Sequence, residues 1–403
     1  MLKLTCMQGS NRIQALEESQ TLALSKRVRT LKAEGRDILS LTLGEPDFDT
    51  PEHIRLAAIE AIREGFTHYT PVAGIQELRQ AVADKFKKFN ALNYSASGIV
   101  ISTGAKQSLL NAIMVLVNPG DEVIMPVPFW VSYAEMVKMA EAKAVLVQTG
   151  IDQKFKMSAE QLEAAITDKT RLLIFSSPSN PSGAMYSHTE LAQWVEVLKR
   201  YPDIYIISDE IYELISYGTP HISIGSFPEI ADRVITINGV SKGFAMTGWR
   251  VGFMGAATWI ANLCDKYQGQ VTSGTCSIAQ KAALAAMRSD FGPSYEMRSV
   301  FQHRRDMFFD YLERIPGFKL DKPEGAFYMY PDISALSGKK TSEGKVLLTP
   351  TDFAEYLLDE AGVAVVPGEA FGTHAHIRMS FACSESVLEK AAEKMLAAVL
   401  KLH

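Results

Sequence analysis

Between Gly98 and Gly255 the chain alternates short apolar runs of strand length with amphipathic stretches of helix length, and this rhythm restricts the fold more than anything else in the sequence. The runs lie at residues 99–102, 122–125, 144–147, 172–176, 204–208, 234–237 and 251–255. Strands so apolar belong in a sheet covered on both faces, and strand–helix–strand order gives parallel neighbours. The pattern predicts an α/β fold whose large domain has a seven-stranded, mainly parallel sheet sandwiched by helices. In such sheets functional groups collect just beyond the carboxyl ends of the strands.

The flanking regions read differently. Residues 11–34 have the spacing of an amphipathic helix, with Leu24, Val28 and Leu31 on one face and Gly35 as its stop. A strand at 38–43 runs into Gly44-Glu45-Pro46-Asp47, a turn that exposes backbone amides. A helix from Pro51 turns Ile54, Ala58, Ala61 and Ile62 inward, and another carries Leu78, Val82, Phe86 and Phe89 as one stripe. Past residue 290 the order becomes a helix at 295–314, a strand at 325–330, a hydrophilic loop at 337–345, a helix at 351–361 and strands at 363–366 and 377–381. A last helix opens on Ser386 and Glu389, spaced as a capping box. The expected division is an N-terminal segment, 1–47, packing with a small domain; a large domain, 48–290; and a small C-terminal α+β domain, 291–403. Both chain ends therefore build the smaller domain.

Composition narrows the function. The chain has 403 residues, 47% of them hydrophobic, enough for a substantial core in two domains. A net charge of -5 gives no general attraction to nucleic acid or to an anionic membrane. Cys6, Cys264, Cys276 and Cys383 lie far apart, which suggests neither a disulfide framework nor a zinc site. No apolar stretch reaches membrane-spanning length and the N-terminus lacks a signal-like core, so a cytoplasmic protein is expected.

Four strand ends carry polar chemistry. The 234–237 run delivers Ser241 and Lys242 into a loop of small residues, with Arg250 eight positions on. An amine buried there without a partner has a lowered pKa and becomes a nucleophile for carbonyls. A surface loop is the plainer reading of a lone Ser-Lys pair. The run at 99–102 ends in Thr103-Gly104-Ala105-Lys106 and then becomes helix, a place where free amides attract anions. The run at 172–176 leads to Asn180-Pro181, by itself an ordinary turn, and the run at 204–208 ends in Asp209, which by itself is as readily a helix cap. A Gly-x-Gly-x-x-Gly signature after the first strand is absent, which disfavours a plain dinucleotide-binding domain.

Together these turns resemble the class I pyridoxal-phosphate aminotransferases of fold type I, in particular the prokaryotic branch that contains aspartate aminotransferases. The similarity extends from about residue 20 to the C-terminus. Gly44-Glu45-Pro46-Asp47-Phe48, Ser177-Pro178-Ser179-Asn180-Pro181-Ser182-Gly183, Ser208-Asp209-Glu210-Ile211-Tyr212 and Ser241-Lys242 with Arg250 carry it, in family order and at family spacing. The resemblance implies that Lys242 holds pyridoxal 5'-phosphate covalently and then shuttles the substrate proton, and that Asp209 pairs with the pyridine nitrogen. Tyr212 and Asn180 are implied to bond the phenolic oxygen, and Trp130 to stack on the ring. Gly104, Ala105, Ser241 and Arg250 are implied to form the phosphate cup, with Tyr69 reaching it from the other subunit of a homodimer that shares its active sites. Arg378, helped by the amide of Gly44, is implied to grip the substrate α-carboxylate beside Trp130 and Asn180. Lys106 matches the lysine that meets a distal carboxylate, though a solvated residue or a helper for the phosphate fits that position too, and Thr21 falls on a segment that closes over the site. One departure is Gly239, where relatives often carry a hydroxyl that helps hold phosphate.

The implied reaction is ping-pong transamination between an L-amino acid, foremost aspartate, and 2-oxoglutarate, with no metal. A β-lyase or an aminotransferase for aromatic or other amino acids is the alternative on the same scaffold. An effector-binding module of a transcription regulator is disfavoured, because about 20 residues ahead of the match are too few for a helix-turn-helix domain.

Overall fold

The structure, a computed structural model, describes residues 9–18, 20–218 and 220–403, with the side chains of residues 20–22 outside that description. The chain opens with α1 (Asn11–Gln14), α2 (Gln20–Ala33) and the short β1 (Leu39–Ser40), followed by α3 (Glu52–Arg63) and α4 (Gln76–Asn90). Then come β2 (Ile99–Ser102), α5 (Ala105–Leu116), β3 (Glu122–Val127), α6 (Ser132–Met139), β4 (Lys143–Gln148), α7 (Ala159–Ala165) and β5 (Thr170–Ser176). The alternation continues through α8 (His188–Leu198), β6 (Tyr205–Asp209), β7 (Val234–Gly239) and β8 (Gly252–Gly255) to α9 (Thr258–Val271) and α10 (Ser277–Arg288).

All seven expected strands form, and they join one sheet in the order β2-β8-β7-β6-β5-β3-β4. Only β8 runs against its neighbours, β2 and β7; the remaining pairs are parallel. Every residue of β2, β3, β7 and β8 is buried, in keeping with their largely apolar runs. Side chains alternate between faces: Val100, Val123, Ile174 and Ile235 pack under α5, α6 and α9, whereas Ile99, Ile101 and Phe253 pack against α3, α4 and α10. The edge strand β4 keeps Lys143 and Gln148 exposed, which blunts an otherwise open edge.

The smaller body is built from α11 (Gly292–Leu312), β9 (Tyr328–Met329), α12 (Pro350–Tyr356), β10 (Val363–Ala364), β11 (Val366–Pro367), β12 (Ile377–Ser380) and α13 (Glu385–Val399). Antiparallel β11-β12-β9 form one sheet, and β1 pairs in parallel with β10, Leu39 against Val363. Leu41 also joins the core of Phe301, Phe308, Phe327 and Phe353, so the two chain ends do meet.

Several local expectations need correction. The 11–34 helix is interrupted, because the chain leaves helical geometry to dock on α6 and the residues just after it: Arg12 Nε donates to Glu141 at 3.0 Å and the Glu17 amide to Glu135 at 2.9 Å. Ile62 and Phe89 are 56% and 40% exposed, since the apolar arcs of α3 and α4 are wider than the surfaces they cover. Phe89 instead stacks on Phe291 with ring centroids 4.8 Å apart. The capping box at Ser386 does not form: α13 starts one residue earlier, the Ser386 hydroxyl pairs with Ser384, and Glu389 accepts from Tyr311. The strands expected at 38–43, 325–330 and 363–366 narrow to β1, β9 and the pair β10 and β11. The hydrophilic 337–345 loop folds back on itself, with Leu347 N–H donating to Lys339 O and Lys340 bonded to His403, and no part of it lines the main cavity. Among the described residues no helix is long and apolar enough to cross a membrane.

One buried side chain fixes the end of β2. Gln268, on α9, is fully buried; its amide donates to Ile101 O at 2.8 Å and Val72 O at 2.9 Å, and its oxygen accepts from Ser102 at 2.7 Å and Asn111 at 3.0 Å. Gln268→Leu strands these groups, each unmet buried partner costing about 1–3 kcal/mol. The variant should lose about 2–4 kcal/mol of stability, seen as a lowered thermal midpoint by calorimetry.

Candidate active site

The carboxyl ends of β2, β5, β6 and β7 open into one cavity of about 280 Å³, closed on its far side by Gly44, Tyr328 and Arg378 from the smaller body and the segment leading to it. Because β8 runs backwards, its first residue Gly252 lies opposite Gly239, and Arg250 therefore sits at this same edge.

Close approach of backbone shapes the anion end. Gly104 precedes α5 with φ +82°, and a Cβ there would lie 2.4 Å from Arg250 Nη2. A Cβ on Gly252 would lie 2.0 Å from the amide nitrogen of Ala105. Glycine at both positions brings the helix N-terminus, with its unpaired amides, against the guanidinium. Arg250 holds a left-handed backbone, φ +56°, and its Nη1 donates to Thr247 O at 2.9 Å. Gly239, the departure from the family pattern, lies close to the reversed strand: a Cβ there would meet Gly252 Cα at 3.0 Å and Val251 O at 3.1 Å, a tight fit.

Lys242 reaches into the cavity and donates to the carbonyl of Gly44 at 2.5 Å. Burial pulls its pKa down to about 8, with Arg250 and Arg378 acting in the same direction and Glu45 opposing them. Asp209 is buried, and burial pushes its pKa up to about 6 against two bonds that favour its charge, from Tyr133 Oη to Oδ2 at 2.6 Å and from the Ile211 amide to Oδ1 at 3.2 Å. Tyr212 is buried with its hydroxyl 2.7 Å from that of Tyr328, and burial together with Tyr328 holds it protonated.

Arg378 gathers three segments. Its Nη1 donates to Asn180 Oδ1 and its Nη2 to Thr42 O, both at 2.9 Å, while its buried Nε has no partner. The guanidinium lies over the Tyr328 ring, 4.5 Å from the centroid. Lys106 Nζ lies 4.9 Å over the Trp130 ring, and burial, then Arg250, lowers its pKa.

The structure thus brings together Gly44, Ala105, Lys106, Trp130 and Asn180 with Asp209, Tyr212, Ser241, Lys242, Arg250 and Arg378, and places Gly104 under Arg250. Tyr69 is fully exposed and takes no part in the cavity. Thr21 lies on α2, and its side chain is outside the described residues. Two tyrosines escaped the sequence reading. Tyr133 orients Asp209, and its only signal was its position three residues after Trp130; Tyr328 sits in an apolar strand and gave none.

Charge decides what the cavity accepts. Lys106, Lys242, Arg250 and Arg378 line it against the single carboxylate of Asp209, so it is built for a ligand carrying several negative charges. The donor set also suits pyridoxal phosphate. There is an anion cup at a helix N-terminus, an indole beside it, an acid for a ring nitrogen and an amine of lowered pKa.

Comparison with known proteins agrees. Residues 36–395 match the family model described as "Aminotransferase class I and II". A probable aspartate/prephenate aminotransferase of Rhizobium leguminosarum bv. phaseoli is 46% identical, the match covering 94% of this chain and 96% of that protein. The aspartate/prephenate aminotransferase of Cereibacter sphaeroides is 44% identical over 96% of this chain and 98% of its own. Among solved structures, the aspartate aminotransferase of Rhizobium meliloti superposes with a TM-score of 0.96 at 42% identity, covering 98% of this chain and all of that one. The aspartate aminotransferase of Thermus thermophilus with maleate gives 0.91 at 38% identity, covering 97% of this chain and all of that one.

Two measurements follow from the site. In cofactor-free protein, Lys242 should react with an amine-acylating reagent at half its maximal rate near pH 8, where ordinary lysines need about 10.5, as read by peptide mapping. Asp209 is charged above about pH 6 and neutral below, so capture of pyridoxal phosphate should weaken as pH falls through 6. Tyr133→Phe removes a bond that lowers the Asp209 pKa, and absorbance titration should find the weakening at higher pH.

Proposed function

The chain belongs to the class I and II aminotransferases, and from that premise we propose that it exchanges amino groups between L-aspartate and 2-oxoglutarate. Enzymes of this family use pyridoxal phosphate. Bound in the cavity, it supplies a protonated heteroaromatic ring that accepts the electron pair left on the substrate Cα. Asp209 stabilises that ring charge, and Tyr133 keeps Asp209 ionised and aimed. Lys242 Nζ, which burial makes readier to give up its proton than an ordinary lysine, takes the proton from Cα and returns it on the other side of the exchange. Ser241, Arg250 and the amides at Gly104 and Ala105 hold the phosphate, while Trp130 covers the ring. Tyr212 and Asn180 donate to the phenolic oxygen.

Arg378 binds the α-carboxylate; its unpartnered Nε and two further donors suit a bidentate carboxylate, with Gly44 assisting. Lys106 meets the distal carboxylate, and Thr21 closes over it. The observation that carries this reading is the excess of cations: Lys106 and Arg378 remain for a dicarboxylic substrate once phosphate has taken Arg250. The Thermus relative with bound maleate, a four-carbon dicarboxylate, supports it. The names of the aspartate/prephenate relatives support a second acceptor, prephenate, which is also a dicarboxylic 2-oxo acid.

We further propose a homodimer with shared active sites, in which Tyr69 completes the other subunit's phosphate cup. Full exposure of Tyr69 and an apolar face of Leu56, Ile59 and Ile62 on α3 support this. Residues 48–290 act as the cofactor-binding domain, with 1–47 as a segment packing with the small domain, 291–403. Cytoplasmic residence is supported by free Cys264, Cys276 and Cys383.

Incubation with aspartate and 2-oxoglutarate should yield oxaloacetate and glutamate, whereas pyruvate with ammonia would indicate a β-lyase. Lys106→Ala should raise the KM for aspartate about tenfold to a hundredfold, the range for one charge-assisted bond, with little effect on phenylalanine. Equal losses on both amino acids would count against the distal-carboxylate role.

A further inference from the structure

The segment from Asp209 to Glu213 has two sides. Asp209 and Tyr212 line the cavity, whereas Glu210 and Glu213 point away from it into a buried polar chamber behind the end of β6. Two acids there face two bases. Lys85, on α4, pairs closely with Glu213, and His221 Nε2 lies 2.9 Å from Glu210 Oε2. All four side chains are more than nine-tenths buried.

Neutral groups complete the network. Asn90 accepts from Lys85 at 2.9 Å and donates to Glu213 at 2.7 Å and to Ser223 at 3.0 Å. Ser223 Oγ donates to Glu210 Oε2 at 2.6 Å, and Ser208 Oγ to Glu210 Oε1 at 2.9 Å. The Glu210 amide donates to Ile237 O on β7 at 2.9 Å. Residues on both sides of Asp209 and just after Tyr212 are therefore anchored to α4, to β7 and to the connection that carries His221 and Ser223.

The three possible metal ligands, Glu210, Glu213 and His221, lie close together, but Lys85 already meets the need for positive charge and sits on Glu213 and Asn90. Burial opposes the protonation of His221, yet Glu210 and Glu213 raise its pKa, which keeps the chamber close to neutral. A neutral quartet of buried charges is a poor source of stability, because apolar side chains of the same volume hold a fold as well or better. Its directional bonds, however, specify one position for the segment.

We propose that this chamber is a positioning clamp: Lys85, Glu210, Glu213 and His221, none of which touches substrate, fix the orientation of Asp209 and Tyr212 toward the cofactor. The inference rests on the aminotransferase reading for the roles of those two residues. The clamp holds the reverse side of the segment as Tyr133 and Tyr328 hold its cavity side. Slackening it displaces the acid and the phenol together, and displacements of an ångström in a site cost about a hundredfold in rate.

The test separates position from stability. The double variant Lys85→Met/Glu213→Leu removes both charges of one pair, and Lys85→Met alone leaves Glu213 unpaired. The double variant should melt no lower than the parent, while the single variant melts lower. Despite its stability, the double variant should bind pyridoxal phosphate at least about tenfold more weakly, and the pH midpoint of its visible absorbance band should move by about one unit. Its kcat should fall at least tenfold with the KM for aspartate near the parent's, since Arg378 and Lys106 lie outside the clamp. Ser223→Ala, which removes the hydroxyl between Asn90 and Glu210 and no charge, provides a milder variant that should shift the band in the same direction by less. Parental cofactor affinity and band midpoint in a folded double variant, or in Ser223→Ala should the double variant not fold, overturn the proposal. Both readouts are taken without substrate, so failure to transaminate aspartate would count against the substrate assignment and leave the clamp standing.

Discussion

Unbalanced positive charge governs this structure. Four cations share one cavity with a single carboxylate, and their mutual repulsion favours an anionic ligand. The arrangement persists because each cation is fixed by backbone or packing. Arg250 leans on Thr247 O, Arg378 on Thr42 O and Asn180, Lys242 on Gly44 O, and Lys106 on the Trp130 ring. The same crowding and burial that favour an anionic ligand keep Lys242 easily deprotonated, so anion binding and amine reactivity have one physical origin.

The sheet supplies the geometry. Parallel strands present the residues after their carboxyl ends at one edge, and the single reversed strand returns Arg250 to that edge. From the other side the smaller body contributes Arg378 and Tyr328, and the turn at Gly44 contributes its carbonyl. Arg378 bonds to groups from residues 42 and 180, far apart in sequence, so its orientation depends on how the two bodies meet. On the proposed reading, substrate recognition thereby depends on the seam between the two bodies, while cofactor binding belongs chiefly to the sheet.

Much of this was legible in the sequence, for definite reasons. Buried strands are largely apolar, so the seven runs stood out, and the polar residues that follow them stood out by contrast. Short motifs located Lys242, Asp209, Asn180 and Arg250. Where burial is partial, the pattern misled: Ile62 and Phe89 lie on helical apolar stripes yet face outward, and Ser386 has the spacing of a cap while its hydroxyl is engaged with Ser384. The supporting residues were hidden for another reason. Tyr133, Tyr328, Lys85 and His221 act through contacts with residues distant in sequence, and apart from Trp130 near Tyr133 nothing in their immediate neighbours marks them.

The chemistry of the site depends on one amine. Loading the protein with pyridoxal phosphate, reducing it with borohydride and mapping the peptides should place the stable pyridoxyl group on Lys242, and Lys242→Ala protein treated in the same way should retain none at this site. A label on Lys106, or on surface lysines with Lys242 unmodified, would contradict it.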